Sequence, residues 1–290
     1  MQTLATPRYW PYVLPMKTSS SDHQPPRLPR PLHIGRFNAI GFWTLYKREV
    51  ARFMKIAGQT VAAPMTTAIL FMAVFAVAVG DRITDTGGIP YVVFLGPGLV
   101  MMAALQNAFA NTSSSMVVGK VQGNIVDLIM PPLSPLELMA AMVAAGITRG
   151  VIVGLVTAAV LAAFGSASWP VHPLLALMFL AMGSCVMAIA GLLTGIWSDK
   201  FDGLAAITNF IIQPMVFLSG TFYAIDQLPA PFDTWAQYNP VFHMIDGYRF
   251  AVIGEGSFGP FASGMILLGI IIGLGVFCWR ILASGYKLKA

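Results

Sequence analysis

Charged residues are scarce, at 10% of 290, too few to solvate a soluble globule of this length, so a water-soluble domain is excluded. Acidic residues are scarcer still, 12 in all, and within the long apolar runs only Glu137, at the edge of one, carries a carboxylate. A proton- or sodium-driven carrier usually needs carboxylates or broken helices near the midplane, so the deficit points to an energy source outside this chain. The 2 cysteines, Cys185 and Cys278, both sit in apolar runs, which excludes a disulfide framework. The 4 histidines, His23, His33, His172 and His243, are scattered without metal-ligand spacing, and no metal site is expected. No G-x-x-x-x-G-K-[ST] loop is present: Gly119-Lys120 is followed by Val121, and Ser114 stands where the upstream glycine belongs. Paired carboxylates, a Ser-His-Asp set and an H-E-x-x-H motif are likewise missing, so no catalytic residue, cofactor or nucleotide site is expected in this chain.

What is present is apolar length. Hydrophobic residues reach 57% and the mean hydropathy is +0.73. A bilayer core about 30 Å thick takes roughly 20 residues of helix. Six stretches meet that need, near Val61 to Val79, Tyr91 to Ala110, Leu136 to Phe164, Pro173 to Trp197, Leu204 to Phe222 and Phe261 to Leu282. β-barrel alternation is not seen, so an all-α membrane protein with six transmembrane helices is expected. Residues 1–59 hold Arg8, Lys17, Arg27, Arg30, Arg36, Lys47, Arg48, Arg52 and Lys55 against Asp22 and Glu49, and the tail adds Arg280, Lys287 and Lys289. The stretch Tyr223 to Phe258 opposes Asp226, Asp233, Asp246 and Glu255 to Arg249 alone. Positive-inside asymmetry therefore predicts both termini in the cytoplasm, consistent with an even number of spans, and reads the net +5 as topology rather than nucleic-acid affinity. The run Tyr9 to Met16, broken by Pro11 and Pro15, is a poor signal peptide.

Four regions follow. Residues 1–35, with seven prolines and Ser19-Ser20-Ser21, are expected to be a disordered cytoplasmic extension. Residues 36–58 read as an amphipathic helix, with Ala39, Trp43, Tyr46, Val50 and Phe53 on one stripe and Arg48, Arg52 and Lys55 on another. Such a helix lies in the headgroup layer or meets a cytoplasmic partner, and the two are compatible. Residues 59–285 form the membrane domain and 286–290 a cytoplasmic tail. Pro64 falls in the first turn of the first expected span, a tolerated position.

The polar segment Asn111 to Pro135 reads as a connection between the second and third spans. Within it Asn124 to Met130 makes about two helical turns before Pro131, Pro132 and Pro135 stop it, either as a docking element or as an interhelical loop. Arg149 lies roughly 8 Å below the cytoplasmic boundary, counting about 1.5 Å per residue from Phe164, close enough to snorkel. Gly146, Gly150 and Gly154, then Gly191 and Gly195, then Gly269 and Gly273, are small-xxx-small steps suited to helix contact.

The most particular stretch runs from Asn209 to Arg249. An apolar segment passes into a loop rich in proline and aromatics, with Phe222, Tyr223, Phe232, Trp235, Tyr238, Phe242 and Tyr248. These rings suit either lipid-interface anchoring or short re-entrant external helices forming an outer gate.

Taken together, three motifs resemble the permease subunit of an ABC-2 type transporter, in the YadH, NodJ and daunorubicin-resistance branch. Tyr46-Lys47-Arg48-Glu49, with Arg52, is similar to the family's connecting helix. Gly123 through Asp127-Leu128, followed by Pro131, is similar to its coupling segment. Gln213-Pro214, Phe217-Leu218-Ser219-Gly220-Thr221-Phe222-Tyr223, Leu228-Pro229, Asn239-Pro240 and Tyr248-Arg249 match its C-terminal signature in order. The resemblance covers residues 36 to 285 and implies an exporter half that dimerises and pairs with cytoplasmic ATPase subunits holding ATP and Mg. It implies ATPase coupling through Gly123, Asp127, Leu128 and Pro131, and a gate or pathway at Pro214, Phe217, Ser219, Gly220, Phe222 and Tyr223. An amphipathic drug, lipid or lipid-linked glycan is the substrate class expected. An ion-coupled carrier or drug antiporter acting without an ATPase is the alternative, and a non-transporting membrane scaffold a third.

Overall fold

Asn38 opens the described chain as a helix cap: its side chain accepts from the Gly41 N–H at 2.9 Å, satisfying one of the donors a helix start leaves free. The computed structural model describes residues 37–79, 89–165, 169–223, 234 and 237–287, all within one unit, Arg36–Ala290. The expected extension over residues 1–35, Leu228-Pro229, Phe232 and Trp235 lie outside the described residues. Helix α1 (Ala39–Met54) leads through a two-residue turn into α2 (Ala57–Val79), followed by α3 (Tyr91–Val121), the short α4 (Ile125–Ile129), α5 (Pro135–Ala163) and α6 (Pro173–Trp197). Then come α7 (Phe201–Ile207), a π-helical turn (Thr208–Ile212), α8 (Gln213–Phe217), α9 (Pro240–Ile253) and α10 (Pro260–Ser284).

Five helices are long and apolar enough to cross a membrane: α2, α3, α5, α6 and α10. The stretch expected as the fifth of six spans is instead the 17 residues Phe201–Phe217, about 25 Å of helix. Its irregularity has a local cause. Pro214 has no N–H to offer Phe210 and its ring crowds that carbonyl, so the chain rewinds into a π turn in which the Gln213 N–H donates to the Thr208 carbonyl.

α3 is the central column. It packs against α6, α5, α2 and α9, while α1 lies along α5, and α10 closes against α6 and α9. At 31 residues, about 46 Å, it runs past the Ala110 boundary expected from hydropathy, and Asn111 to Val121, read as connecting loop, is its last three turns. The polar run survives there because it is satisfied: Ser113 Oγ donates to the Phe109 carbonyl at 2.7 Å, and Thr112 Oγ1 donates across to the Ala188 carbonyl of α6 at 2.7 Å.

Two further expectations need correction. α2 begins at Ala57, so Pro64 stands inside the helix rather than in its first turn. On α1 the buried residues are Leu45, Glu49 and Phe53; of the expected stripe Phe53 is buried and Tyr46 and Val50 are half-buried, but Ala39 and Trp43 are exposed, because packing against α5 turns the buried face toward Leu45 and Glu49.

The glycine steps divide. A Cβ on Gly191 would fall 2.3 Å from the Phe109 carbonyl oxygen, and one on Gly150 would fall 2.4 Å from Ser184 Oγ, so α3, α5 and α6 meet at near-backbone contact. Gly269 and Gly273 on α10 have no atom within 4 Å of such a Cβ. Cys185 and Cys278 are free thiols, half-buried and buried.

Candidate functional site

At the basic end of the bundle, α1 and α5 are stitched together at their starts. Ser134 caps α5 in a capping box with Glu137, whose carboxylate accepts from the Ser134 N–H at 2.7 Å and from the Asn38 N–H at 2.6 Å. The Asn38 amide then donates to the Pro132 carbonyl at 3.1 Å. This fixes α1 over the α3–α4 corner. Gly123 makes that corner with φ +73°, a left-handed conformation that a Cβ disfavours. α4 follows, burying Leu128 and exposing Val126, Asp127, Ile129 and Met130; Pro131 is exposed beyond it.

A groove of about 420 Å³ opens between α1, the end of α3 and α4, lined among others by Arg48, Glu49, Arg52, Lys55, Asp127 and Leu128. Residues of the two expected sets, connecting helix and coupling segment, therefore share one wall-to-wall feature. Glu49 is 1% exposed and takes Arg52 Nε at 3.1 Å and Arg48 Nη2 at 3.4 Å. Arg52 also donates to the Asn111 carbonyl at 2.7 Å and to Ser114 Oγ at 3.3 Å, so the buried carboxylate is tied through one guanidinium to α3. Lys47 stands apart from this group: it is exposed, with its ammonium 5.3 Å from the Trp43 ring.

At the opposite, distal end the gate candidates converge. Phe217 and Phe222 stack at 5.6 Å, and Phe71 and Phe75 of α2 close on them, with Phe71–Phe222 at 5.3 Å and Phe75–Phe222 at 5.0 Å. Tyr91 of α3 donates its hydroxyl to the Phe222 carbonyl at 2.8 Å. The loop after α8 is pinned from beneath: Ser219 Oγ and Thr221 Oγ1 donate back to the Val216 carbonyl at 2.5 and 3.0 Å, and Gly220 takes φ +73°. A Cβ on Gly98 would lie 2.7 Å from the Thr221 carbonyl oxygen, so the loop rests directly on the α3 backbone. Arg249 of α9, 5% exposed, donates to the Gly220 carbonyl at 2.7 Å and stacks on the Phe94 ring at 3.8 Å. Pro214 is exposed on the helix below and Tyr223 is half-buried. Phe242 and Tyr248, for which the sequence leaves lipid-interface anchoring and a re-entrant helix both open, are buried inside the bundle on α9, whereas Tyr238 is exposed.

The model of the ABC-2 type transporter family matches residues 40–253, which spans both ends of this bundle. The chain belongs to that family. It is 30% identical over 252 residues to the inner membrane transport permease YadH of Escherichia coli, covering 87% of this chain and 98% of that protein. It is 23% identical over 249 residues to nodulation protein J of Rhizobium leguminosarum bv. viciae, covering 83% and 90%. A Rhizobium meliloti nodulation protein J is 21% identical over 224 residues, covering 76% and 82%. This ABC-2 protein is thus an integral, multi-pass inner-membrane component of a transport system, and its helical, strand-free described portion agrees with that.

Several residues of this ABC-2 permease that join the two ends went unread in the sequence. Gln106 of α3 donates to Gln213 Oε1 at 3.0 Å, at the base of α8. One residue on, Asn107 Oδ1 accepts from Arg149 Nε at 3.2 Å and Nη2 at 3.0 Å, so Arg149 is held on α3 rather than extended freely into the headgroups. The legible signal was an amide inside an apolar run, since an intramembrane amide needs a partner. Phe71 and Phe75, four apart on one face of α2, were legible in the same way.

A second polar knot ties the helix ends. Lys120 donates to the Ile196 carbonyl and, at 3.2 Å, to the Ser198 carbonyl, while Lys287 donates to the Trp197 carbonyl at 2.8 Å. Both face Asp199, at 3.4 and 3.0 Å. The Lys287 hydrogen bond, with Lys120 behind it, holds the Asp199 carboxyl below its ordinary value. A depressed carboxylate stabilises the fold above its unfolded value, near 3.9, and that contribution is lost as pH falls through the folded one. Asp199→Asn is therefore expected to lower the melting temperature in micelles slightly at pH 7, with the difference from wild type shrinking as the pH is taken below the unfolded value, read by thermal unfolding across that range. Because Asp199 is largely exposed, the effect stays small.

Proposed function

We propose that this chain is the membrane half of an ATP-driven exporter, working as a dimer with cytoplasmic ABC ATPase subunits that hold ATP and Mg. In this reading Phe201–Phe217 completes six spans, its shortness made up by the loop that caps it, and both termini face the cytoplasm as the basic residues require. The observation that carries the proposal is the groove joining α1 to α4. Beside it α4 exposes apolar Val126, Ile129 and Met130 around Asp127, while Leu128 and the half-buried Ile125 hold the helix to the bundle. The helix behind that groove, α3, continues without a break to the aromatic cluster at Phe217 and Phe222.

ATP-driven approach of the ATPases would press α4 and α1 toward each other. Arg52 on Asn111 and Ser114 would pass that displacement to α3, and Gln106 on Gln213 would pass it to α8 and the gate loop. A movement of this kind requires that the two ATPase states bind α4 differently. The ring-lined gate suits an amphipathic drug, lipid or lipid-linked glycan.

The test is copurification of the chain with an ATPase, comparing wild type with Asp127→Arg, an exposed change that leaves the buried Leu128 in place. The expected outcome is retained fold with copurified ATPase and coupled ATP hydrolysis falling about tenfold or more. Unchanged assembly and coupling would remove α4 as the docking element. Transport by the chain alone, driven by an ion gradient, would overturn the ATP-driven reading altogether.

A further inference from the structure

Between α3, α5, α6 and α9, at the distal end, lies a cavity of about 410 Å³ on the far side of α3 from the α2 and α8 aromatics. Small residues create it: Gly96 and Pro97 of α3 face Ala158, Ala159 and Ala162 of α5. Its floor is Leu180, and Leu155 and Leu177 stand at its rim, both exposed on the outer surface of the bundle. In membrane-spanning helices that surface meets acyl chains, so the cavity opens into lipid. An apolar void of this size forfeits the dispersion contacts its walls would otherwise make, and it falls within the usual range of about 300–1,000 Å³ for ligand sites.

One group in this cavity is out of keeping with its walls. Tyr248 of α9 is 5% exposed and lines the space, and its hydroxyl has no hydrogen-bond partner among the described residues. A phenol hydroxyl that meets only an apolar cavity costs free energy unless something in that cavity supplies an acceptor. Its depth is set by backbone contacts: His172 and Val171, at the start of α6, donate to the Ala251 and Val252 carbonyls at 2.8 and 3.2 Å. Tyr248 lies one helical turn, about 5 Å, further into the bundle than those residues. Trp169, which also lines the cavity, is exposed at its mouth and suits the headgroup layer.

We propose that this cavity holds one acyl chain of a phospholipid from the distal leaflet, with the Tyr248 hydroxyl donating to the ester carbonyl and Trp169 flanking the headgroup. The site takes a diacyl lipid as a resident ligand. It stands on the opposite face of α3 from the proposed pathway, so it does not depend on the export reading. Because the α9 residue after Tyr248 is the Arg249 that holds Gly220, an occupied cavity would also brace the helix that pins the gate loop.

The test reconstitutes the full chain with a phospholipid carrying a diazirine in mid-chain, irradiates it, and maps adducts by peptide mass spectrometry. Adducts are expected to concentrate on the segments around residues 155–162 and 173–180, several-fold above the lipid-facing side of α10. Ala158→Phe fills the void and should cut the pocket adducts about tenfold while leaving the α10 adducts unchanged. Tyr248→Phe keeps the void but removes the donor, so wild type should prefer the ester lipid over its diether analogue, and Tyr248→Phe should not. Three results would overturn the proposal: pocket labelling no higher than on α10, labelling unchanged in folded Ala158→Phe, or rim residues that crosslink to a second copy of the chain. If Ala158→Phe fails to fold, the ester preference alone decides, and equal preference in wild type and Tyr248→Phe sinks it.

Discussion

Gly191→Leu is expected to leave little folded protein, whereas Gly273→Leu leaves the fold intact. Both are glycines of small-xxx-small steps in apolar helices, and helix propensity alone would gain about 0.8 kcal/mol at either. At Gly191 the new Cβ meets the Phe109 carbonyl oxygen at 2.3 Å and Thr112 Oγ1 at 2.4 Å. Neither neighbour can yield cheaply, because one is backbone of the central helix and the other is held to the Ala188 carbonyl at 2.7 Å. Overpacking of this kind costs about 1–3 kcal/mol and more where two backbones must separate. Gly273 meets nothing within 4 Å, so the change stays within about 0.5 kcal/mol. The check is the fraction of monodisperse protein surviving a heat step in micelles, measured for both variants together with wild type. Equal survival of the two would refute near-backbone contact between α3 and α6.

Arg249→Met is expected to free the loop after α8, the proposed gate, without unfolding the protein. Arg249 is buried beside Asp246, yet no ion pair joins them: Asp246 accepts from the Ser257 and Phe258 N–H groups at 2.8 and 3.1 Å, and Arg249 Nε has no partner among the described residues. The guanidinium is retained by one charge-assisted hydrogen bond and one ring face, worth about 1.5–3 and about 2 kcal/mol. Burying the charge costs several kcal/mol, so replacing it with an apolar side chain of similar length is near neutral for global stability. The Gly220 carbonyl, however, loses the donor that fixes it. Hydrogen exchange of the amides at 218–223 should accelerate about tenfold, equivalent to about 1.4 kcal/mol, with the α5 and α6 amides unchanged. Arg249→Lys should fall between, since an ammonium can reach a carbonyl but cannot stack as a plane. Unchanged exchange in the methionine variant would show that the loop is held without Arg249, by its own hydroxyl hydrogen bonds and the aromatic cluster.

The sequence by itself settled what depends on composition and local order. Low charge and long apolar runs made the chain an α-helical membrane protein, because lipid forbids unpaired backbone. The ordered motifs at Tyr46-Lys47-Arg48-Glu49, Asp127-Leu128 and Phe217 to Tyr223 placed it in its family, because motif order survives where single residues carry little information. The capping serine and proline that start α5 were legible too, though their reach across to Asn38 was not.

Tertiary structure decided everything that depends on which face meets which neighbour. Asn111 to Val121 looked like loop and became helix packed into the bundle, because Ser113 and Thr112 hydroxyls found carbonyl acceptors on α3 itself and on α6 while Asn111 accepts from Arg52 of α1. Glu49 looked like one charge on a basic helix and became its most buried anchor. Three equivalent glycine steps separated into two close contacts and one open face, since spacing sets only the periodicity of a helix and packing sets its rotation. The fifth apolar run lost its regularity to a single Pro214, and the aromatics Phe242 and Tyr248 turned inward with α9. Hydropathy measures what a residue tolerates, and only the neighbours brought together by the fold determine what it touches.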